Sequence, residues 1–181
     1  MNVRWLRFEI MVTFSHESED FQRLDWTLLQ NGAVTLYLRP EFLNEDLEWL
    51  RVHHYRVDAF DCSAWNSEQE MHQALASGLD FPDYYGRNLD ALNDCLCDIG
   101  IPEESGRVLV FERYDAFAAK VPRVAWAVLD IVEINSRRLL LFGRRLLALV
   151  QSDDPRISFE PIGARSAMWN RREWLNKSRG L

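Results

Sequence analysis

Cysteine is scarce in this chain of 181 residues, with Cys62, Cys95 and Cys97 as the whole complement. Three thiols build no disulfide framework and show no metal-ligand spacing. Cys95 and Cys97 lie two apart on what reads as a helix, on different faces, so they do not pair with each other. This usage points to the reducing cytoplasm, and no metal or cofactor is expected. Histidine is sparse as well. His53 and His54 are adjacent and point to opposite faces if extended, and His72 stands alone on a helix, where it reads as a satisfied residue rather than a ligand. The chain has no Gly-rich phosphate loop, no nucleophile elbow and no HExxH. No stretch is long enough for a membrane span. The opening MNVRWLRFEIMVTF breaks its apolar run with Arg4, Arg7 and Glu9, which reads poorly as a signal peptide. Repeats and low-complexity tracts are absent.

What is present is an uneven charge. The net charge is −7, but residues 1–104 carry 7 Lys and Arg against 20 Asp and Glu, while residues 105–181 carry 14 against 8. Residues 80–104 alone hold one cation and seven anions. A net acidic chain with so concentrated an acidic segment favours basic partners over nucleic acid or an anionic membrane.

Residues 3–14 fit a strand or an amphipathic helix equally well. Residues 15–20 are polar and acidic and read as a loop, and Gln30-Asn31-Gly32 is a turn. A strand is expected at 34–38, then Pro40 at the start of a helix with Phe42, Leu43, Leu47 and Leu50 at helical spacing. Residues 55–60 alternate as a half-exposed strand. Ser67 and Glu70 form a capping box that opens a helix to Ala76. After the turn residues 101–106, Val108–Phe111 is a continuous apolar run, as in strands buried on both faces of a parallel sheet. A short helical piece around 116–120 precedes a long helix from Pro122 to about Phe142, whose polar stripe is Arg123, Asp130, Glu133 and Arg137. Gly143 closes it, and Leu146–Val150 is a second buried strand. Strands separated by helices imply parallel pairing. The expected fold is therefore α/β, a small, mostly parallel sheet of three to four strands flanked by helices. The tail from 152 onward carries Trp169 and Trp174 and is expected to pack on the domain.

The densest signal is DFPDYYGRNLDALNDCLCDIG, residues 80–100. Pro82 and Gly86 bracket a loop, and Asn88 sits where a helix N-cap would. Leu89, Leu92, Leu96 and Ile99 share one helical face at about 100° per residue. Asp90, Asn93, Asp94, Cys97 and Asp98 fall on the other. Like charges at Asp90 and Asp94, spaced i,i+4, oppose each other by a few tenths of a kcal/mol. The helix N-terminus compensates Asp90 in part. Such a row is mildly unfavourable, as a surface kept for a partner can be. Of the two tyrosines before it, Tyr85 reads as core and Tyr84 as an exposed anchor. The plain alternative is a solvated helix face.

PDYYGRNLDALNDCL resembles the signature of the barstar family, the intracellular protein inhibitors of barnase-type secreted ribonucleases. The resemblance extends over the order of elements in a core of about 53–151. It leaves 1–52 and 152–181 as N- and C-terminal extensions of a single domain, and it implies three of the strands. It also implies no catalysis. Instead, loop and helix plug the active site of a basic extracellular-type ribonuclease, with carboxylates standing in for RNA phosphates. The matching contacts are Tyr84, Gly86, Asn88, Asp90 and Asp94, with Asp94 as the central anion. Asn93 occupies a contact position that the family fills with tryptophan. Arg87 replaces an acid, and Glu133 is the nearest candidate for a further acidic contact from the last helix. Two rivals remain. One is an interaction module of the same fold that binds a non-nuclease partner. The other is an RNA-binding protein using the basic segment Arg165–Arg179. An acid–base pair of Asp90 and Asp94 has no evident pocket wall.

Overall fold

The computed structural model describes residues 14, 18, 20–102 and 105–181. Nearly all of the ambiguous 3–14 segment, and residues 103 and 104 of the turn, lie outside them. The described residues form six α-helices and five strands in the order α1 (Leu24–Leu29), β1 (Val34–Tyr37), α2 (Pro40–Val52), β2 (Arg56–Asp61), α3 (Glu68–Gly78), α4 (Leu89–Cys97), β3 (Gly106–Glu112), α5 (Tyr114–Lys120), α6 (Pro122–Leu140), β4 (Arg145–Gln151) and β5 (Met168–Trp169). The strands form one sheet in the order β2-β3-β4-β1-β5, and every pairing is parallel.

The two apolar runs are adjacent central strands, with Val108 opposite Leu147 and Val110 opposite Leu149. Because strand side chains alternate, each run feeds two cores. Val108, Val110, Leu147 and Leu149 pack with Leu28 of α1 and Leu43, Leu47 and Leu50 of α2. Leu109, Phe111, Leu146, Ala148 and Val150 pack with α3 to α6 on the other side. The sheet is therefore covered by α1 and α2 on one face and by α3–α6 on the other. β2 is an edge strand, and most of its side chains are exposed or half-buried.

The sheet has one strand more than the upper expectation. β5 is two residues long, too short for any period in the sequence. It comes from the C-terminal segment, as β1 comes from the N-terminal one, and β1 lies between β4 and β5. Neither segment is an appendage of the sheet.

Buried carboxylates fasten both segments. Glu173 is fully buried, and its two oxygens accept from the backbone N–H of Leu38 and Arg39 at 3.0 Å each. Those amides enter α2, whose N-cap residue Arg39 supplies no side-chain acceptor, so the tail caps the helix from outside. Asp46 of α2 accepts from Tyr37 at 2.7 Å, Asn170 at 2.9 Å and Arg172 at 2.7 Å. Asp25 of α1 receives Tyr55, Arg145 and Arg23. Burial pushes its pKa upward, but the hydrogen bonds from Arg23, Tyr55 and Arg145 outweigh it and hold the carboxyl at about 2.

Trp169 is half-buried in β5, whereas Trp174, expected to pack on the domain, is 60% exposed. The tail is held by Glu173 and by Asn170, Arg172 and Arg179 more than by its second tryptophan. Glu173→Ala would leave two amides at the entry to α2 without an acceptor and is expected to cost about 1–3 kcal/mol. Trp174→Ala is expected to change stability by less than about 0.5 kcal/mol. Urea unfolding of the two variants checks both.

Candidate functional site

The loop from α3 to α4 is shaped by contacts. Asp80 and Arg87 adopt left-handed φ of 57° and 50°, a region aspartate tolerates better than arginine. The Phe81 N–H returns to the Ala76 carbonyl at 3.0 Å, and Tyr85 N–H to Pro82 at 2.9 Å. The Tyr85 ring turns inward against Phe81, with ring centres 4.9 Å apart. Its hydroxyl lies 2.6 Å from Nδ1 of the fully buried His72. With Tyr85 committed to the core, its neighbour Tyr84 is left 87% exposed.

Asn88 caps α4, its Oδ1 accepting from the Ala91 N–H at 2.8 Å. A Cβ on Gly86 would stand 3.3 Å from both Ala91 Cβ and Asn88 Nδ2, so a side chain there would crowd the cap. Leu92 and Leu96 are buried, and Asp90, Asp94 and Asp98 are exposed. No lysine or arginine among the described residues pairs with any of the three. Asp94 receives only a long contact from Asn93 Nδ2, at 3.4 Å. Beside the row, Asp80, Tyr84, Asp94 and Asp98 line a groove of about 360 Å³ that also includes Phe81 and Pro82. The structure thus brings Tyr84, Asp94 and Asp98 around one groove, while Asp90 lies outside its lining, at the capped helix start with Asn88 and Gly86.

Two expected site residues sit differently. Asn93, expected on the outward face, turns toward α6. Asn135 is completely buried there, donating to Asn93 Oδ1 at 3.1 Å and accepting from Cys97 Sγ at 3.1 Å. Cys97 is half-buried by the same contact. Asn93 and Cys97 are four residues apart, one helical step round from the aspartates, and a buried amide claims that line. Glu133, expected as a solvent-facing acid, is 3% exposed. Its carboxylate accepts from the Ala33 N–H at 2.5 Å and from Arg137 Nε at 3.1 Å. It ties α6 to the turn before β1 and is not on the α4 face. Asn135, the residue that orients α4, was not singled out in the sequence. In the sequence it stands among other polar residues, Glu133, Ser136 and Arg137, and nothing local sets it apart.

The basic tail is largely spent on the fold. Arg172 is held by Glu45 and Asp46. Arg179 donates to the Pro155, Glu173 and Trp174 carbonyls and to Asn176. Arg165 reaches the Gln30 carbonyl at 3.5 Å. Among the described residues no cluster of three metal-ligating side chains occurs, and no helix is long and apolar enough to cross a membrane.

His72 couples this loop to pH. Burial lowers its pKa below the usual 6.5, opposed by Glu68, whose Oε1 is 3.4 Å from Nε2. The unfolded chain therefore binds the proton more readily than the folded one. Stability is fully present above about 6.5 and falls as pH drops from there toward the depressed folded value. His72→Gln should remove this component. Thermal melts of both proteins at mildly acidic and neutral pH are expected to show a smaller acid loss in the variant.

Comparison with known proteins bears on the same elements. The family model described as "Barstar (barnase inhibitor)" matches residues 55–150. A stretch of 26 residues is 73% identical to the Bacillus subtilis protein named "Putative ribonuclease inhibitor YrdF". That stretch is 14% of this chain and 29% of the relative, so less than a third of the relative's length is matched. The family match runs from Tyr55, just before β2, to Val150 in β4 and takes in the capped α4, its loop and the α6 support. It covers more than half of the chain, and the chain belongs to the barstar family.

Proposed function

We propose that the protein inhibits a basic, extracellular-type ribonuclease by seating α4 and the Tyr84 loop in its active site, without chemistry of its own. The observation that carries this reading is the row of three exposed carboxylates, without ion-pair partners among the described residues, on a capped and clamped helix. A catalytic cleft that evolved to hold phosphate presents arginine and lysine, which also hold carboxylates, bidentately where arginine takes part. Asp94, in the middle of the row and on the groove, is the central anion, with Asp90 beside it and Tyr84 as the aromatic anchor. Gly86 and Asn88 shape and cap the helix start. Family membership and the short match to a protein named as a ribonuclease inhibitor support the role. The inhibitor acts in the cytoplasm, as the three unpaired thiols suit.

In the complex each carboxylate is desolvated against a cation, and truncating one leaves that cation buried and uncompensated. Asp94→Ala is expected to cost about 2–5 kcal/mol of binding, mostly in the dissociation rate. Asp83→Ala, on the exposed start of the loop, should alter only the association rate, and modestly. The assay is inhibition and binding kinetics against purified basic secreted ribonucleases at low and moderate salt. Equal loss in the two variants would reduce the row to a diffuse field. Absence of inhibition by the unaltered protein across the set would overturn the reading.

A further inference from the structure

We propose that a second copy of this chain docks antiparallel along the outer face of α6, closing a two-fold symmetric dimer. Two large apolar side chains mark one end of that face. Leu141 is 85% exposed and Phe142 77% exposed, immediately before Gly143. Arg138 and Arg144 flank them, both exposed and without a carboxylate partner among the described residues. Left in water, such a pair is a liability, and adjacent exposed apolar residues of this size usually mark a contact surface.

The other end of the same helix carries the complementary shape. A groove of about 1100 Å³ is lined by Leu89, Val124, Ala127, Ile157 and Phe159, with Arg123 and Glu160 as its charged residues. From groove to knob, Val124, Ala127, Ile131 and Ile134 are half-buried. They alternate at three and four residues and continue in step through Arg138 to Leu141. That spacing is the seam by which one helix packs on another. The seam runs between α4, clamped by Asn135, and the tail, which meets α6 where Trp126 Nε1 donates to the Pro161 carbonyl and Asp130 accepts from the Gly163 N–H.

Antiparallel alignment places Ile131 opposite Ile134 of the second copy, Ala127 opposite Arg138 and Val124 opposite Leu141. Each knob then enters the other copy's groove. The arginine stem at 138 covers apolar surface while its head stays polar. Arg138 and Arg144 approach Glu160 in the groove, at the end of α4 that bears Leu89. Opposite charges therefore meet twice by symmetry. A parallel arrangement would bring the two arginine knobs together and leave both grooves empty. With knob and groove satisfied at once, the contact closes at two copies and does not grow into a filament.

The test uses no ribonuclease, so its outcome is independent of the inhibitory role. Sedimentation equilibrium across micromolar concentrations is expected to show a monomer–dimer equilibrium for the full chain. Leu141→Asp with Phe142→Asp should raise the dissociation constant by at least about tenfold. Val52→Asp, at a position 63% exposed on α2 in the opposite layer, should leave it unchanged. Circular dichroism confirms folding, since both sites are on the surface. A second measurement fixes the register. Leu141→Cys combined with Val124→Cys should give a covalent dimer on oxidation, because the two positions are about 25 Å apart along one helix and meet only between copies. Leu141→Cys with Val52→Cys, carrying the same native thiols, should not. A monomer at every concentration, a charged knob that associates like the unaltered chain, or equal cross-linking of the two cysteine pairs would overturn the proposal.

Discussion

The orientation of α4, and with it the face proposed for binding, depends on a buried amide. Asn135 is inaccessible to water on α6, and an amide in that position must find partners or forfeit much of its hydration free energy. It finds them on α4, at Asn93 and Cys97, and in its own helix at the Ile131 carbonyl, 3.0 Å away. These contacts set both the position of α4 along α6 and its rotation about its own axis. Leu92 and Leu96 alone would tolerate a modest roll of the helix, because apolar packing is not directional. The amide does not. Once Asn93 and Cys97 face α6, the aspartates at 90, 94 and 98 are directed to solvent.

Acidic side chains thus divide into two groups by what surrounds them. Asp25, Asp46, Glu133 and Glu173 are buried and engaged with arginine, tyrosine, asparagine or backbone N–H groups, and each has at least one partner a hundred or more residues away in sequence. Asp90, Asp94 and Asp98 meet no cation among the described residues. The sequence polarity of acid in the first half and base in the second has a structural origin here. Many arginines of the second half, Arg145, Arg172 and Arg179 among them, hold the ends of the chain to the sheet. The acidic segment around α4 is left uncompensated.

Short-range chemistry explains what the sequence disclosed. The Asn88 cap, the Tyr84/Tyr85 division, the two doubly buried strands and the start of α6 at Pro122 all follow from periodicity or from a residue's own backbone preference. The Ser67 cap forms as well, its Oγ accepting from Glu70 N–H at 3.2 Å, although the Glu70 carboxylate reaches Asn66 N–H instead of closing the box on Ser67. The burial of Glu133 is hidden in the sequence for the opposite reason. Its i,i+4 neighbour Arg137 and its place in a polar stripe are what a surface acid would show, and its true partner, the Ala33 amide, is set by tertiary structure. Asn93 is one helical step from the outward row, a difference that only the helix on the other side decides. A two-residue strand such as β5 has no pattern to read, and its place beside β1 follows from the anchoring of Asn170 and Glu173.

The aspartates on α4 are not electrostatically equivalent. Asp90 lies in the first turn, where the helix dipole and the free N–H groups favour an anion. Asp98 is the C-cap residue, and the last turn of α4 contains no basic residue, so the dipole opposes it. Asp94 lies between them, an i,i+4 neighbour of both, and is repelled from each side. The free protein therefore bears a small unfavourable field that grows toward the C-terminal end of the helix and that no cation among the described residues relieves. An external cation placed between Asp94 and Asp98 gains the most from this arrangement, and the groove lined by both carboxylates and Tyr84 is where such a group would sit. Because the relief comes from charges exposed to solvent, salt screens it within roughly 10 Å. In the proposed complex the field would act mainly on encounter, and tightness would rest on how completely Asp94 is desolvated.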